Sequence, residues 1–344
     1  MKAIQLLEKG RIELRDIEKP SVGDGEILLR VRAASICGTD IRMWKNGYDN
    51  VSPDSPLTLG HEFAGDIAEV GASVQGYTVG QRVSVAPNIG CGTCDMCVSG
   101  NTHLCDNYDA FGVTIPGGFA EYVLIPARAV AQGNITVLDD DISYQEAALA
   151  EPLSCVYNGQ KLLGIRQGDD VLIIGLGPIG IMHIMTARLF GAGKIFVNDL
   201  SAERMNKAKE LFPDVHVLDG DIPEGLREHG LAGVDVCIIA APAADAQAQS
   251  LYYMNMNGKI LYFGGLPKDR EEVTINTNLI HYNQLQIQGC TKQSISEYRL
   301  CEKLVNDKRI PLELIMSDSY AIEDYKTAFD NAAAVKGLKH VIMF

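Results

Sequence analysis

Positive charge is what this sequence has too little of. Lys and Arg number 30 against 44 Asp and Glu, giving a formal charge of −14 at pH 7. Nucleic acid and anionic membrane surfaces both require a basic face, so neither is expected as a partner. Long apolar runs are missing too. None approaches the roughly 20 residues that cross a bilayer. Met1 to Glu8 lacks the apolar core of a secretory leader and reads as a first strand. No internal repeat or low-complexity tract interrupts the chain. Nine cysteines is an odd number, and their clustering fits metal binding better than a disulfide framework. A reducing, cytoplasmic location is therefore expected.

What remains is an ordinary globular profile, 47% hydrophobic and 22% charged. A chain of 344 residues is too long for one ordinary core, so two domains are expected.

The chemistry gathers around Gly60-His61-Glu62-Phe63-Ala64-Gly65, followed by Gly71. An imidazole and a carboxylate stand side by side between glycines, which let backbone and ligand approach closely. Alone, the pair fits a surface turn. A thiol at Cys37 upstream and a carboxylate at Glu151 downstream complete a sulfur, nitrogen and oxygen donor set that suits zinc. A catalytic zinc needs three protein ligands and an open position.

Taken in order, Ile12 to Ile17 and Ile27 to Val31 are strand-like, and Cys37 ends the second run before a short helix with Thr39 and Asp40. Trp44, Tyr48 and Asp49 either wall a pocket or cover a loop. Ile67 to Val70 and Arg82 to Val85 continue the β character. Cys91, Cys94, Cys97 and Cys105 then fall within fifteen residues. Four thiolates form a closed tetrahedral shell, which makes zinc structural here. An iron–sulfur cluster is the main competitor, because spacing alone does not fix the metal. His103, inside this lobe (about 88–108), reads as a solvated loop residue. Gly117 to Val123 returns to strand pattern.

From Ile142 the period changes. Tyr144 to Leu149 and Val156 to Leu163 look helical, with Glu151-Pro152 breaking between them. Val171 to Ile174 reads as a strand buried on both faces. It enters Gly175-Leu176-Gly177-Pro178-Ile179-Gly180, then an apolar helix to about Phe190 and a strand ending at Asp199. Strand, glycine turn, helix, strand and acid together form a dinucleotide fingerprint. Pyrophosphate is expected on Gly175, Gly177, Pro178, Ile179 and Gly180 at the helix N-terminus. Asp199 is expected on the adenosine ribose, favouring NAD over NADP, although Arg204 nearby could accommodate a 2′-phosphate.

Val234 to Ala240, Gly258 to Phe263 and Leu285 to Gly289 supply further buried strands. Loops beyond them offer Gly264, Gly265, Leu266, Gly289, Cys290 and Thr291 to the nicotinamide half. A helix from Ser294 to Leu304 and a strand from His340 to Phe344 return to the first domain. Cys155, Cys237, Cys290 and Cys301 have no ligand-like spacing and read as core or loop thiols.

In this order, the motifs resemble the zinc-containing medium-chain dehydrogenase/reductase superfamily over nearly the whole chain, most of all its sorbitol-type polyol dehydrogenases, with threonine dehydrogenase a near relative. The resemblance implies an α/β fold: a Rossmann-type doubly wound parallel sheet domain at 153–291, and a mostly-β, GroES-like catalytic domain at 1–152 and 292–344. It matches Cys37, His61 and Glu62 to catalytic zinc ligands, and Cys91, Cys94, Cys97 and Cys105 to a structural zinc lobe. Glu151, in Glu151-Pro152-Leu153-Ser154, matches the acid of sorbitol-type enzymes, bound to zinc directly or through water. Asp40 matches the residue that orients His61 from behind. Thr39 matches the hydroxyl that relays the substrate proton. Where several relatives carry the next relay histidine, this chain has Arg42, which does not normally release a proton.

The activity implied is reversible hydride transfer between a secondary alcohol of a polyol and NAD, with zinc polarising the oxygen and a cleft between domains excluding water. A threonine-type or polyol-phosphate dehydrogenase is the alternative, with Arg42 or Lys45 meeting a phosphate. A zinc-stabilised NAD sensor without turnover is the rival from another class, but Cys37, His61 and Thr39 are all retained. A homodimer or homotetramer is expected by analogy.

Overall fold

Ile27–Ser35 (ILLRVRAAS) is the strand from which the catalytic chemistry is positioned. Its β-branched and aliphatic side chains bury on both faces, and it has neighbours on both edges. In the computed structural model, which describes residues 1–344, it lies inside a seven-stranded sheet. Glu62–Val70 flanks it on one side and the C-terminal strand Lys339–Met343 on the other; Tyr122–Ile125 pairs with its N-terminal half. Arg82–Val85 and Ile135–Val137 extend the sheet beyond Glu62–Val70, and Met316–Ala321 extends it beyond Lys339–Met343. A small sheet of Arg11–Asp16, Lys2–Glu8 and Leu57–Thr58 adds Ile4, Leu6 and Ile12 to a core that includes Leu29, Val31, Phe63, Phe119 and Phe329.

The chain divides into two units: Met1–Ser154 with Gln293–Phe344, and Cys155–Lys292. The second contains a six-stranded, wholly parallel sheet. Its spatial order is His216–Val217, Ile195–Asn198, Val171–Ile174, Val234–Ile239, Met254–Tyr262, Gln286–Gly289. The chain steps outward in one direction and restarts in the other, so the switch point falls beside Val171–Ile174, the Rossmann order. All four residues of that strand are buried.

Two expectations need correction here. Glu151 and Pro152 do not break a helix; they lie in the first turn of Ala150–Leu163, and the break falls at Leu149, after Tyr144–Ala148. Proline is tolerated there because a first-turn N–H has no intrahelical acceptor. Gln286–Gly289 is not a buried strand. It is the sheet edge, paired on one side, with Gln286 and Gly289 exposed.

Candidate active site

Sheet register assembles the centre. Ser35 at the end of the central strand pairs with Glu62 on one side and Val341 on the other. Cys37 follows Ser35 by two residues and caps the helix Gly38–Asn46, while His61 precedes Glu62 by one. Gly60 adopts φ +91°, and a Cβ there would lie 2.8 Å from the Phe119 ring, so only glycine turns the chain into His61 at this point. The sulfur of Cys37, a ring nitrogen of His61 and a carboxylate oxygen of Glu62 consequently lie within 4.8 Å of one another.

Asp40 is fully buried behind them. Its Oδ2 accepts from Cys37 N at 2.9 Å, its Oδ1 accepts from Gly60 N at 3.3 Å, and Oδ1 lies 3.6 Å from Nδ1 of His61. Burial alone would depress the His61 pKa, but the neighbouring Cys37 and Asp40 raise it well above the usual value. Burial raises the pKa of Glu151, with His61 opposing; its Oε1 accepts from Gln293 Nε2 at 3.1 Å. Glu62 takes a different partner. Lys339, itself buried, donates to both its oxygens at 2.8 and 2.5 Å. Acidic and thiol groups thus crowd a buried imidazole, which is the donor set and the field that a divalent cation satisfies. The residues fit zinc.

Cys91, Cys94, Cys97 and Cys105 form the second cluster, their sulfurs all within 4.8 Å. The N–H groups of Thr93 and Cys94 point at Cys91 and draw its thiol down to about 6, toward the thiolate a metal binds. His103 is not solvated as its loop position implied; the turn Thr102–Leu104 folds it inward to 6% exposure.

In the second unit, Gly177 caps the helix Pro178–Phe190, and a Cβ built on it meets nothing within 4 Å. Space is therefore left in front of the first-turn N–H groups, as a pyrophosphate needs. Gly180 instead serves close packing, since its Cβ would sit 1.8 Å from Gly175 O. Asp199 accepts from Leu176 N at 2.6 Å and Ser201 N at 2.9 Å, and Arg204 lies 3.6 Å from its Oδ2. Gly264 packs against Ala241 O, whereas Gly265 and Thr291 are exposed and Leu266 is half-buried. Cys290 accepts from Asn158 Nδ2 at 3.6 Å.

Residues 23–135 match the alcohol dehydrogenase GroES-like domain, and residues 178–307 match the zinc-binding dehydrogenase family. An L-threonine 3-dehydrogenase of Rhizobium etli (strain CIAT 652) is 33% identical over 324 residues, covering 92% of this chain and 90% of that protein. The chain belongs to the zinc-binding alcohol dehydrogenase family. A sorbitol dehydrogenase of Bacillus subtilis (strain 168) is 30% identical over 342 residues, covering 98% of this chain and 94% of that one. Among solved structures, a zinc-binding dehydrogenase of Sinorhizobium meliloti 1021 bound to NADP superposes with TM-score 0.91 at 31% identity, covering 100% of this chain and 99% of that one. This protein is accordingly an oxidoreductase that works with zinc and a nicotinamide dinucleotide. No helix is long and apolar enough to cross a membrane.

Three side chains at the centre escaped the sequence reading: Lys339, Gln293 and Asn88, whose Nδ2 donates to Gln293 Oε1 at 3.2 Å. Lys339 left one signal, a lone cation opening an otherwise buried strand (KHVIM).

Proposed function

We propose that this enzyme reversibly oxidises a secondary alcohol of a polyol to the ketone, with NAD as hydride acceptor. One observation carries this reading: a thiol, an imidazole and a carboxylate converge, with Glu151 in the field of His61 and the Thr39 hydroxyl two residues beyond Cys37. Zinc held by Cys37, His61 and Glu62 or Glu151 would supply Lewis acidity toward the substrate oxygen.

The chain's own groups do the rest. Asp40 fixes the backbone of Cys37 and Gly60 and orients the imidazole between them. Thr39 takes the proton that the substrate hydroxyl gives up. Arg42 already donates to Thr39 Oγ1 at 3.3 Å and does not release its own proton, so it is not the next station of the relay. The glycine turn and helix N-terminus bind pyrophosphate, and Asp199 disfavours a ribose 2′-phosphate. Arg204, drawn toward Asp199, is held by that carboxylate rather than offered to a phosphate.

A second reading has its own observation. Arg42 is exposed beside Thr39, where a guanidinium would recognise an anionic substituent on the substrate. A threonine-type amino alcohol or a polyol phosphate would supply one, and the Rhizobium etli relative is named for threonine. For the state of the protein in the cell we propose a cytoplasmic homodimer or homotetramer.

The test is a panel of polyols, polyol phosphates, simple alcohols and threonine, assayed with NAD and NADP before and after chelation. Chelator-sensitive turnover of a polyol with NAD is expected. Turnover of threonine or a phosphate alone moves the assignment to the second reading. No turnover at full metal loading points to a nicotinamide-binding sensor.

A further inference from the structure

Lys339 is a saturated cation in the interior of the catalytic unit. Its side chain is 5% exposed and that of Glu62 is 0% exposed. An ammonium has three donors, and here each has an acceptor: both Glu62 oxygens, and Ile36 O at 3.0 Å. The sheet puts it there. Val341 pairs with Ser35, and Ile36 N donates to His340 O at 2.9 Å, so Lys339 comes level with the Cys37 end of the central strand. Ser35 pairs with Glu62 across the opposite edge.

Stability alone does not account for a lysine at this position. Buried ion pairs are often matched or exceeded by apolar residues of similar volume. The location is more telling, since the ammonium reaches one candidate metal donor and the backbone beside another.

We infer that Lys339 is a positioning residue for the metal centre: by engaging both oxygens of Glu62 it weakens that carboxylate as a donor, keeping the ion electrophilic and a coordination position open to substrate. The inference rests on the reading of Cys37 and His61 as metal ligands. Without the ammonium, Glu62 would turn its full charge on the ion. The metal would be held more tightly and would polarise a substrate oxygen less.

The experiment uses the full-length protein with cobalt(II) in place of zinc. Wild type is compared with Lys339→Met, Lys339→Gln, Lys339→Arg and the double variant Lys339→Met/Glu62→Gln. The readouts are the visible cobalt spectrum, the rate of metal loss to a chelator, and kcat separately from KM. Lys339→Met is expected to slow loss of the catalytic ion by about tenfold or more, the scale on which outer partners tune metal affinity. It should also alter the cobalt bands and lower kcat more than it changes KM. Lys339→Gln, which keeps donors for Glu62 without the charge, should move every readout in the same direction and serves if the Met variant does not fold. Lys339→Arg should return toward wild type, and in the double variant the slowed loss of the ion should disappear, because the carboxylate that would grip it is gone. A wild-type spectrum and release rate in Lys339→Met or Lys339→Gln, with only thermal unfolding changed, overturns the inference. So does an effect that persists without Glu62. Wild-type protein that binds a single cobalt ion, in the cysteine lobe alone, overturns the metal-centre reading itself.

Discussion

Arg42 Nη2 donates to Thr39 Oγ1 at 3.3 Å, one helical turn apart on Gly38–Asn46. The hydroxyl assigned to the substrate proton therefore sits beside a permanent positive charge. If the substrate carries a carboxylate or phosphate, this guanidinium is placed to meet it. A charge-assisted hydrogen bond contributes about 1.5–3 kcal/mol, so Arg42→Leu should raise KM for an anionic substrate about 10- to 150-fold. KM for a neutral polyol should scarcely change. Parallel kinetics on a polyol and its phosphate decide this, and equal effects on both would remove Arg42 from substrate recognition.

Thr39 makes a sharper demand. Thr39→Val keeps the shape and removes the hydroxyl, so kcat should fall by about 10²–10⁴, the usual worth of a positioned proton-transfer group. Thr39→Ser should retain most of the rate. Steady-state kinetics, with binding of NADH followed by fluorescence, separates a relay defect from lost cofactor affinity. Thr39→Val with wild-type kcat would show that the proton leaves without this residue.

Asp199 holds the glycine turn through Leu176 N and faces Arg204 at 3.6 Å. Asp199→Ala removes the repulsion toward a 2′-phosphate and releases Arg204. The ratio of kcat/KM for NAD over NADP should drop about 10- to 100-fold, on the scale of one charged hydrogen bond. Absolute NAD efficiency should fall as well, because Leu176 N loses its acceptor. An unchanged ratio would place cofactor choice elsewhere.

The two metal clusters should separate cleanly. Cys97 is buried among the four lobe thiols, whereas Cys37 caps a helix beside His61. Cys97→Ser should remove one equivalent of zinc and lower Tm by on the order of 10 °C, since structural zinc contributes folding energy directly. Cys37→Ser should leave Tm within a few degrees while costing at least about 10³ in kcat/KM, consistent with the several kcal/mol attributed to a Lewis acid. Metal content by atomic absorption, together with calorimetry, checks both. Full activity in Cys37→Ser would dismantle the proposed ligand set.

Local patterns carried the parallel sheet into the sequence reading. Val171–Ile174, the glycine turn and Asp199 lie within one short stretch, and each has a spacing that physics restricts. The four lobe cysteines were legible for the same reason. Lys339 was not, because it reaches Glu62 across 277 residues through strand order, and nothing in a lone lysine announces its register. His103 misled because loop position says little about burial when a short 3₁₀ turn can fold a ring inward. Glu151-Pro152 misled because proline ends helices and also begins them.

Glu302 is a buried acid, fully covered on the helix Ile295–Asn306 and unused by the proposed chemistry. Burial pushes its pKa up to about 8, with the Ser84 hydroxyl partly offsetting the shift; Tyr298 and Cys301 beside it are raised for the same reason. In the unfolded chain a glutamate titrates near 4.3. Between these values the folded state binds the extra proton, so stability is undiminished below about pH 4.3 and declines as pH rises toward 8. The loss from this one residue reaches a few kcal/mol, at roughly 1.4 kcal/mol per pH unit across the window. Glu302→Gln cannot ionise, so this residue's share of the pH dependence should vanish, and the variant should exceed wild type in stability by a margin that grows with pH and is largest at pH 8 to 9. Denaturant unfolding at pH 5, 7 and 9 measures the difference. A constant offset between the two proteins would mean that Glu302 carries the same charge in the folded and unfolded chain, contrary to its burial.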